Sequence, residues 1–576
     1  MNRTTSFRRK LIYLTVMVAM LIPLYLLGQP AGGDGDLGGR LSVMRNEYNI
    51  AESDLGEISP ASETMKLASL GLRGVAATLL WNKAHEYRVM HEWDRLKATL
   101  NNIALLQPHF DKVWEHQAHN LAYNVSTEFD DYRQRYEMVR EGTEFLTRGL
   151  RQNTNATRLV WYTGWFYGAK MGMSDEKEQF RRLFSEDELL HESLKNENIA
   201  VDSPEARGPL GKPDNWLVGR LWLNHGYDIV DSGVKIRRQT PLNFYETGPK
   251  WRLKHAESIE AEGVLDQRAQ NAWLMASDDW ASFGQRSIPT TSAFTIKLGE
   301  LDVLKAQRSE KIEQFRMLNQ EVYDAARAEL VEALPDEFKA FYDLPSDQLT
   351  FEQRQILPSI LDGLIPNLKP LAKSSQDDAT RLASVNLIDE IANLNERILK
   401  TSGYRTQINY PYWEALALAE QEERTVEARR LIYEAEKANA AAELDESIRL
   451  YEEAFAIWEK IFDDYPLLTL DDTAEDLFDS IRRYMVVTDS EEIPEDFPLI
   501  EFAMMMGELG RIDSRDYQRI REEGLEQVMQ DRLNSQEIAP GIEGDSSQNI
   551  PSSEGIPQPV AVEQPQDVSL PQGADN

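Results

Sequence analysis

The sequence predicts an all-α protein whose body is a solenoid of helical hairpins. Apolar residues recur at three- and four-residue spacing along much of the 576-residue chain, which is the spacing of an amphipathic helix. Small and aromatic residues of the first such stretch return after 34 positions, a period typical of stacked helix pairs. Proline closes several of these stretches, as it commonly does just beyond a helix end.

Composition limits the possible function classes. The formal net charge of -35 argues against a nucleic-acid partner, because binding to phosphates requires clustered Lys and Arg. The chain contains no Cys, which removes disulfides, thiolate metal sites and cysteine nucleophiles. The acidic charge is uneven, since residues 61–200 hold 18 Lys and Arg against 20 Asp and Glu, whereas residues 461–500 hold 2 against 12.

The N-terminal 60 residues predict a membrane anchor and a tether. A basic N-terminus, 1–10, precedes an apolar run that is longer than the usual core of a signal peptide. We predict a transmembrane signal anchor at 11–28, with a cleaved signal peptide as the alternative. The positive-inside rule then leaves 1–10 in the cytoplasm, and the Gly-rich segment 29–60 is a flexible tether outside it. The predicted location is the bacterial inner membrane, single pass, with the bulk of the chain periplasmic.

The repeat lies in residues 61–190. A small residue, an aromatic residue three positions later and a closing proline mark the first unit at Ala84, Tyr87 and Pro108. The small residue returns 34 positions later at Ala118. It returns again at Gly164, after a longer interval. The aromatic residues that accompany these later units are Trp114, Trp161 and Tyr167.

This pattern resembles the tetratricopeptide repeat (TPR), in which a small residue lets two helices approach closely while a large aromatic residue fills the groove opposite. The second helix of the first unit departs from the family pattern, because Leu96, Leu100 and Ile103 replace its usual small and aromatic residues. The resemblance implies a TPR-like helical-hairpin solenoid with an extended concave surface that holds partner peptides.

Residues 191–292 predict an irregular, Trp-rich loop insertion followed by a helix from about Lys250 to Phe283. Pro and Gly cluster between positions 204 and 213 and again between 241 and 249, where they interrupt the helical period. This combination of loops and Trp is similar to large, uncharacterised, membrane-anchored proteins of planctomycete bacteria. The insertion is either a functional site or a packing element that caps the solenoid, and both interpretations remain open.

The C-terminal half predicts three further segments. Residues 293–410 read as long helices that pack antiparallel, and 411–533 read as acidic TPR-like helices. Residues 534–576, rich in Pro, Gln, Ser and Gly, predict a disordered tail. The family's second-helix pattern recurs within the acidic segment at Ser447, Tyr451 and Ala454.

The predicted function is a membrane-anchored extracytoplasmic scaffold that mediates protein–protein interaction and has no catalytic role. The phosphate-binding, zinc-protease and serine-hydrolase motifs are absent from the sequence. The acidic C-terminal part favours a basic partner through long-range attraction. The predicted binding groove consists of aromatic and histidine side chains: Trp81, Tyr87, Trp114, His116, His119, Trp161, Tyr167, Trp216 and Trp222.

Two alternative functions depend on the insertion. A cell-envelope glycan binder would stack sugars on Trp216 and Trp222. A hydrolase, the less favoured alternative, would draw on His225, Asp228 or His255.

Neither a metal nor a cofactor is predicted. His116 and His119 are three positions apart and share a helix face, but Asp111 and Glu115 are poorly placed to complete a metal site. The acidic run 463–479 lacks the ligand order of a calcium loop and reads as a solvated acidic face.

Overall fold

A computed structural model describes residues 73–292, 294–374, 377–490 and most of 493–530, with a few isolated positions before residue 45. The predicted anchor at 11–28 and tether at 29–60 lie almost entirely outside the described residues, and the predicted tail at 534–576 lies wholly outside them. No helix among the described residues has both the length and the apolar character that a membrane crossing requires.

Most of the described residues are helical, and their one sheet is a short β-hairpin, which confirms the all-α prediction. It divides into two compact units, which we call unit 1 (Met1–Val264) and unit 2 (Leu265–Asn576).

Unit 1 is built from helices that pack in pairs: α1 on α2, α3 on α4, and α5 on α8, with α9 against α8. Helices α6 and α7 and the irregular residues 197–214 form an insertion between the two members of the third pair. The helices are α1 (Arg73–Val89), α2 (Trp93–Leu106), α3 (Asp111–His119), α4 (Tyr132–Gln152), α5 (Thr157–Gly172), α6 (Lys177–Glu186), α7 (Glu188–Asn196), α8 (Asn215–Asp231) and α9 (Pro241–Ala261).

Glycine sets the distance between paired helices in unit 1. A Cβ atom on Gly142 of α4 would lie 3.0 Å from the carbonyl oxygen of Ala118 on α3. A Cβ atom on Gly164 of α5 would lie 2.7 Å from the carbonyl oxygen of Gly219 on α8. A Cβ atom on Gly219 would likewise lie 2.7 Å from the carbonyl oxygen of Gly164. At these crossings the backbones are therefore too close for any side chain larger than hydrogen to fit without a shift.

The segment 191–292 is more helical than its sequence predicts. Pro241 begins α9 instead of a loop, because Thr240 caps the helix and proline is tolerated in the first turn. The predicted helix from about Lys250 to Phe283 is broken at Gly263, whose positive φ of 87° ends α9.

Unit 2 opens with a helix and the hairpin, in which Ile288 pairs with Ile296. Its elements are α10 (Gln267–Gln285), β1 (Ile288–Pro289), β2 (Thr295–Ile296), α11 (Leu301–Leu318), α12 (Gln320–Glu332), α13 (Asp336–Lys339), α14 (Phe351–Gly363), α15 (Leu368–Ser374), α16 (Asp378–Gln407), α17 (Tyr410–Glu420), α18 (Glu423–Ala440), α19 (Leu444–Asp464), α20 (Asp471–Val487), α21 (Ile500–Leu509) and α22 (Ser514–Glu523).

Helices α11 and α16 pack antiparallel in unit 2. Lys311 Nζ lies 2.7 Å from Glu390, and further along α11 the Asn319 amide donates to Ser384 Oγ at 2.8 Å. The residue numbers of the contacts on α16 decrease as those on α11 increase, so the two helices run antiparallel. The interruption between α11 and α12 falls at Asn319.

Helices α18 and α19 form a hairpin in unit 2. The Ser447 hydroxyl donates to the carbonyl oxygen of Ala435 at 2.8 Å, so the two backbones lie close at this crossing. Tyr451 and Ala454, one and two turns further along α19, are fully buried. The small-aromatic-small pattern of this helix therefore forms its packed face.

Candidate functional site

The nine residues of the predicted groove do not form one surface. Four of them are not fully buried: His116 is exposed, and Trp81, Tyr87 and His119 are half-buried. The other five are buried in the core of unit 1: Trp114, Trp161, Tyr167, Trp216 and Trp222.

The two tryptophans of the glycan hypothesis are inaccessible in this structure. The Trp216 indole N–H donates to Ser258 Oγ at 2.9 Å, and its ring packs edge-on against Trp251. Trp222 is also buried, with 2% of its surface exposed. Truncating either ring to alanine would remove core packing at a cost of about 3–5 kcal/mol, so lost glycan retention would not separate binding from unfolding.

The three residues of the hydrolase hypothesis do not converge. His225 and Asp228 are exposed on α8, whereas His255 is buried on α9. The Nδ1 atom of His255 lies 3.2 Å from the carboxylate of Asp214, which Arg181 approaches to 3.1 Å from α6. The buried histidine therefore belongs to an ion network that joins the insertion to α8 and α9.

A different group of side chains meets where α3 ends. The chain continues from α3 into a π-helical turn, Asn120–Val125, a conformation that is rare and frequently found at functional sites. This turn places the Tyr123 ring on the His119 ring, with centroids 4.4 Å apart and planes 16° apart. The two rings form a stacked aromatic pair where α3 ends.

Helix α5 completes the group with a hydroxyl and a cation. The Tyr162 hydroxyl lies 3.5 Å from His119 Nδ1, at the outer limit of a hydrogen bond. The ammonium nitrogen of Lys170 lies 4.7 Å from the centroid of the Tyr123 ring, within the range of a cation–π interaction. We call these four residues, His119, Tyr123, Tyr162 and Lys170, the stacked site.

Two more rings, one half-buried and one exposed, lie beside the stacked site. Trp81 of α1 meets His116 of α3 edge-on, with ring centroids 5.3 Å apart. His116 shares a helix face with His119, three positions later. We call Trp81 and His116 the aromatic rim.

Charges surround this surface on the α3 side. Burial raises the pKa of Glu115, while the nearby guanidinium groups of Arg158 and Arg238 oppose that rise. Arg158 also stacks on Trp161, with its guanidinium carbon 4.7 Å from the ring centroid. Acid and base are therefore paired here, so this flank carries little net charge.

His119 is held in its neutral form. Burial lowers its pKa from the usual 6.5 to about 4, and the positive charges of His116 and Lys170 act in the same direction. A neutral imidazole can accept a hydrogen bond on one ring nitrogen and donate from the other.

We expect His119 to make unit 1 less stable as the pH falls from 6.5 towards 4. In that window the unfolded chain binds a proton that the folded chain excludes, so the free energy of unfolding falls by up to about 3 kcal/mol. Urea unfolding at several pH values, compared between wild type and His119→Gln, measures this loss. A wild-type pH profile that matched the variant's would contradict the assignment, as would titration of the His119 ring near pH 6.5 by NMR.

Sequence reasoning missed three of the four residues in the stacked site. Lys170 carried a usable signal, because it is the one charged residue after Arg158 in the otherwise apolar helix α5. Tyr123 and Tyr162 carried none, since aromatic residues at these spacings are equally typical of core packing. Within the described residues, no three side chains of His, Asp or Glu are grouped to hold a metal ion.

Unit 2 contains an open cavity of about 680 Å³ between the β-hairpin and α16. Arg397 lines it together with Asn393, Thr290 and Ser292. The Ser292 hydroxyl donates to Glu396 at 2.9 Å, so an acid also borders this cavity.

No family model matches this chain, and no curated protein or solved structure matches it. The stacked site, the aromatic rim and the pairing of the helices are the features of the chain that bear on function.

Proposed function

We propose that this protein is a TPR-like helical-repeat scaffold that binds a segment of a partner protein on the aromatic rim and stacked site of unit 1. The N-terminal segment 11–28 would anchor it in the bacterial inner membrane, with the bulk periplasmic.

Helix pairing supports the TPR-like part of the proposal. In three pairs, a small residue of the first helix faces a small residue of the second. The number of residues between the two helices of a pair differs, because α18 and α19 are joined by a short loop while the insertion separates α5 from α8. The facing residues are Ala118 and Gly142, Gly164 and Gly219, and Ala435 and Ser447.

The contact between Trp81 and His116 is the observation that carries the binding role. These rings come from α1 and α3, the first helices of two successive pairs, and they meet while both retain exposed surface. Successive first helices line the binding face of a helical-repeat solenoid. Rigid, amphipathic rings are also the side chains that most often dominate the affinity of protein interfaces.

We expect Trp81→Ala and His116→Ala each to weaken partner retention by about tenfold or more, which corresponds to the loss of one interface hot spot. The full-length wild type and each variant would serve as bait in envelope extracts, with the retained proteins identified and quantified by mass spectrometry. His116 is exposed and Trp81 is half-buried, so neither variant empties a fully buried site and the folded state should persist.

Tyr433→Ala is the matched control, because Tyr433 is a half-exposed aromatic residue on α18 in unit 2. It should leave retention unchanged. Full retention by both rim variants would refute the proposed binding surface. Loss of retention with rising salt would support the further proposal that the acidic C-terminal part attracts a basic partner.

A further inference from the structure

Lys170 is a largely buried lysine that has no ion pair among the described residues. It is 8% exposed, and among the described residues its ammonium group has no ion pair and no hydrogen bond. Its contacts are with aromatic faces, at 4.7 Å from the Tyr123 centroid and 5.9 Å from the Phe180 centroid. A charge that is largely withdrawn from water carries a desolvation cost unless a partner of opposite charge offsets it.

The acids nearest to Lys170 do not neutralise it. Glu176 attracts the ammonium from a distance but forms its ion pair with Arg135, whose own charge repels Lys170. Asp175 also acts only at a distance and is exposed to solvent. Burial is the largest influence on Lys170 and lowers its pKa.

The rest of the stacked site adds groups that donate. His119 is neutral and can donate from a ring nitrogen, and Tyr162 brings a hydroxyl to the same ring. The positive charge of Lys170 reaches His119, where it lowers the pKa of the imidazole. A cation and an imidazole thus lie against the Tyr123 ring, with a phenol beside the imidazole. The charge of Glu115 reaches this phenol, but Glu115 is itself paired with Arg158 and Arg238. A cation with hydrogen-bond donors nearby is the chemistry of a site for an anion.

We propose that the stacked site binds an anionic group, a carboxylate or a phosphate, with Lys170 as its counter-ion. The inference deepens the proposed function and rests on it in one respect, namely that the partner segment supplies the anion. An acidic side chain, a chain terminus or a phosphorylated residue would present this chemistry.

The test uses inorganic phosphate and acetate as probes of the full-length protein. Each is titrated at constant ionic strength, with chloride as the reference, and binding is followed by calorimetry and by thermal unfolding. We expect the wild type to bind one equivalent of phosphate and to melt at a higher temperature in its presence. Lys170→Met, which keeps the length and packing of the side chain, should weaken this binding at least tenfold.

Two further readouts separate an anion site from a structural lysine. Without phosphate, Lys170→Met should be at least as stable as the wild type, because it removes an uncompensated charge. Phosphate should also raise the pKa of the His119 ring in the wild type by offsetting the Lys170 charge. Lys112→Met, which removes an exposed lysine of α3, is the matched control and should bind as the wild type does.

The outcomes are distinct. Binding of both probes would support a carboxylate or a phosphate as the natural group, whereas binding of phosphate alone would point to a phosphorylated segment. Equal stabilisation of wild type and Lys170→Met by phosphate, or no binding, would overturn the anion site. Because the rim variants of Trp81 and His116 should still bind phosphate, their partner retention tests the scaffold function separately.

Discussion

Replacing Gly164 with alanine is expected to destabilise unit 1 by about 3 kcal/mol or more. The added methyl carbon would lie 2.7 Å from the carbonyl oxygen of Gly219 and 2.7 Å from Leu223 Cγ. The Leu223 side chain can turn aside, but the backbone carbonyl can move only if α5 and α8 separate. Overpacking of this kind commonly costs about 1–3 kcal/mol and more where backbone must shift.

Thermal and urea unfolding of the full-length protein measure this loss. A change of about 3 kcal/mol corresponds to a drop of roughly 6–12 °C in the melting temperature of a unit this size. Gly74→Ala is the matched control, since a Cβ atom on Gly74 has nothing within 4 Å and alanine favours the helix. If both variants melted with the wild type, the close crossing of α5 and α8 would be disproved.

Replacing Asp214 with alanine is expected to cost about 3–5 kcal/mol, the loss typical when one member of a buried ion network is removed. Arg181 would keep Glu262, 2.6 Å from its Nε atom, but would lose the buried carboxylate of Asp214. His255 would lose the carboxylate that lies 3.2 Å from its Nδ1 atom. The same carboxylate also caps α8 by accepting from the backbone N–H groups of Trp216 and Leu217. The insertion and the first turn of α8 should therefore loosen together.

The pH dependence of Asp214 follows from its environment. Burial alone would raise its pKa, but the charges of Arg181 and His255 outweigh burial and hold the pKa well below the usual 3.8. Between its folded and unfolded pKa values, Asp214 is therefore ionised in the folded chain and protonated in the unfolded chain. The stabilisation is complete above about pH 5 and is lost as the pH falls below 3.8.

Asp266→Ala provides the comparison for Asp214→Ala. Asp266 caps α10 through the N–H of Arg268 but is exposed to solvent, so its loss should cost only about 1 kcal/mol. Hydrogen exchange across residues 173–214 would report the loosened insertion in the Asp214 variant. Equal costs for the two variants, or an unchanged insertion, would count against the buried network.

The sequence predicted helices more reliably than surfaces. Apolar periodicity located α2, which ends at Leu106, directly before Gln107 and the closing Pro108. The small residue Ala118 lies at a helix crossing. Periodicity identifies which residues share a face but not whether that face meets solvent or another helix. Trp114 and Trp216 were therefore placed in a groove although both are buried.

The candidate site was harder to foresee because it depends on local geometry. The π-helical turn, which stacks Tyr123 on His119, has no sequence signature. Such a turn forms where a helix accommodates one additional residue and then continues. Gly219 likewise lies far from Gly164 in the sequence, beyond the interval of a regular repeat. Only the three-dimensional pairing of α5 and α8 reveals that the two glycines meet.

The insertion between α5 and α8 also affects the kinetics of folding. The ends of α18 and α19 are joined by residues 441–443, whereas the α5–α8 pair closes only after about 40 residues have been looped out. The entropic cost of closing a loop grows with the logarithm of its length, so closing the longer loop costs about 2 kcal/mol more. The core of unit 1 thus depends on a non-local pairing, which gives it a higher contact order and slower assembly than a plain array of hairpins.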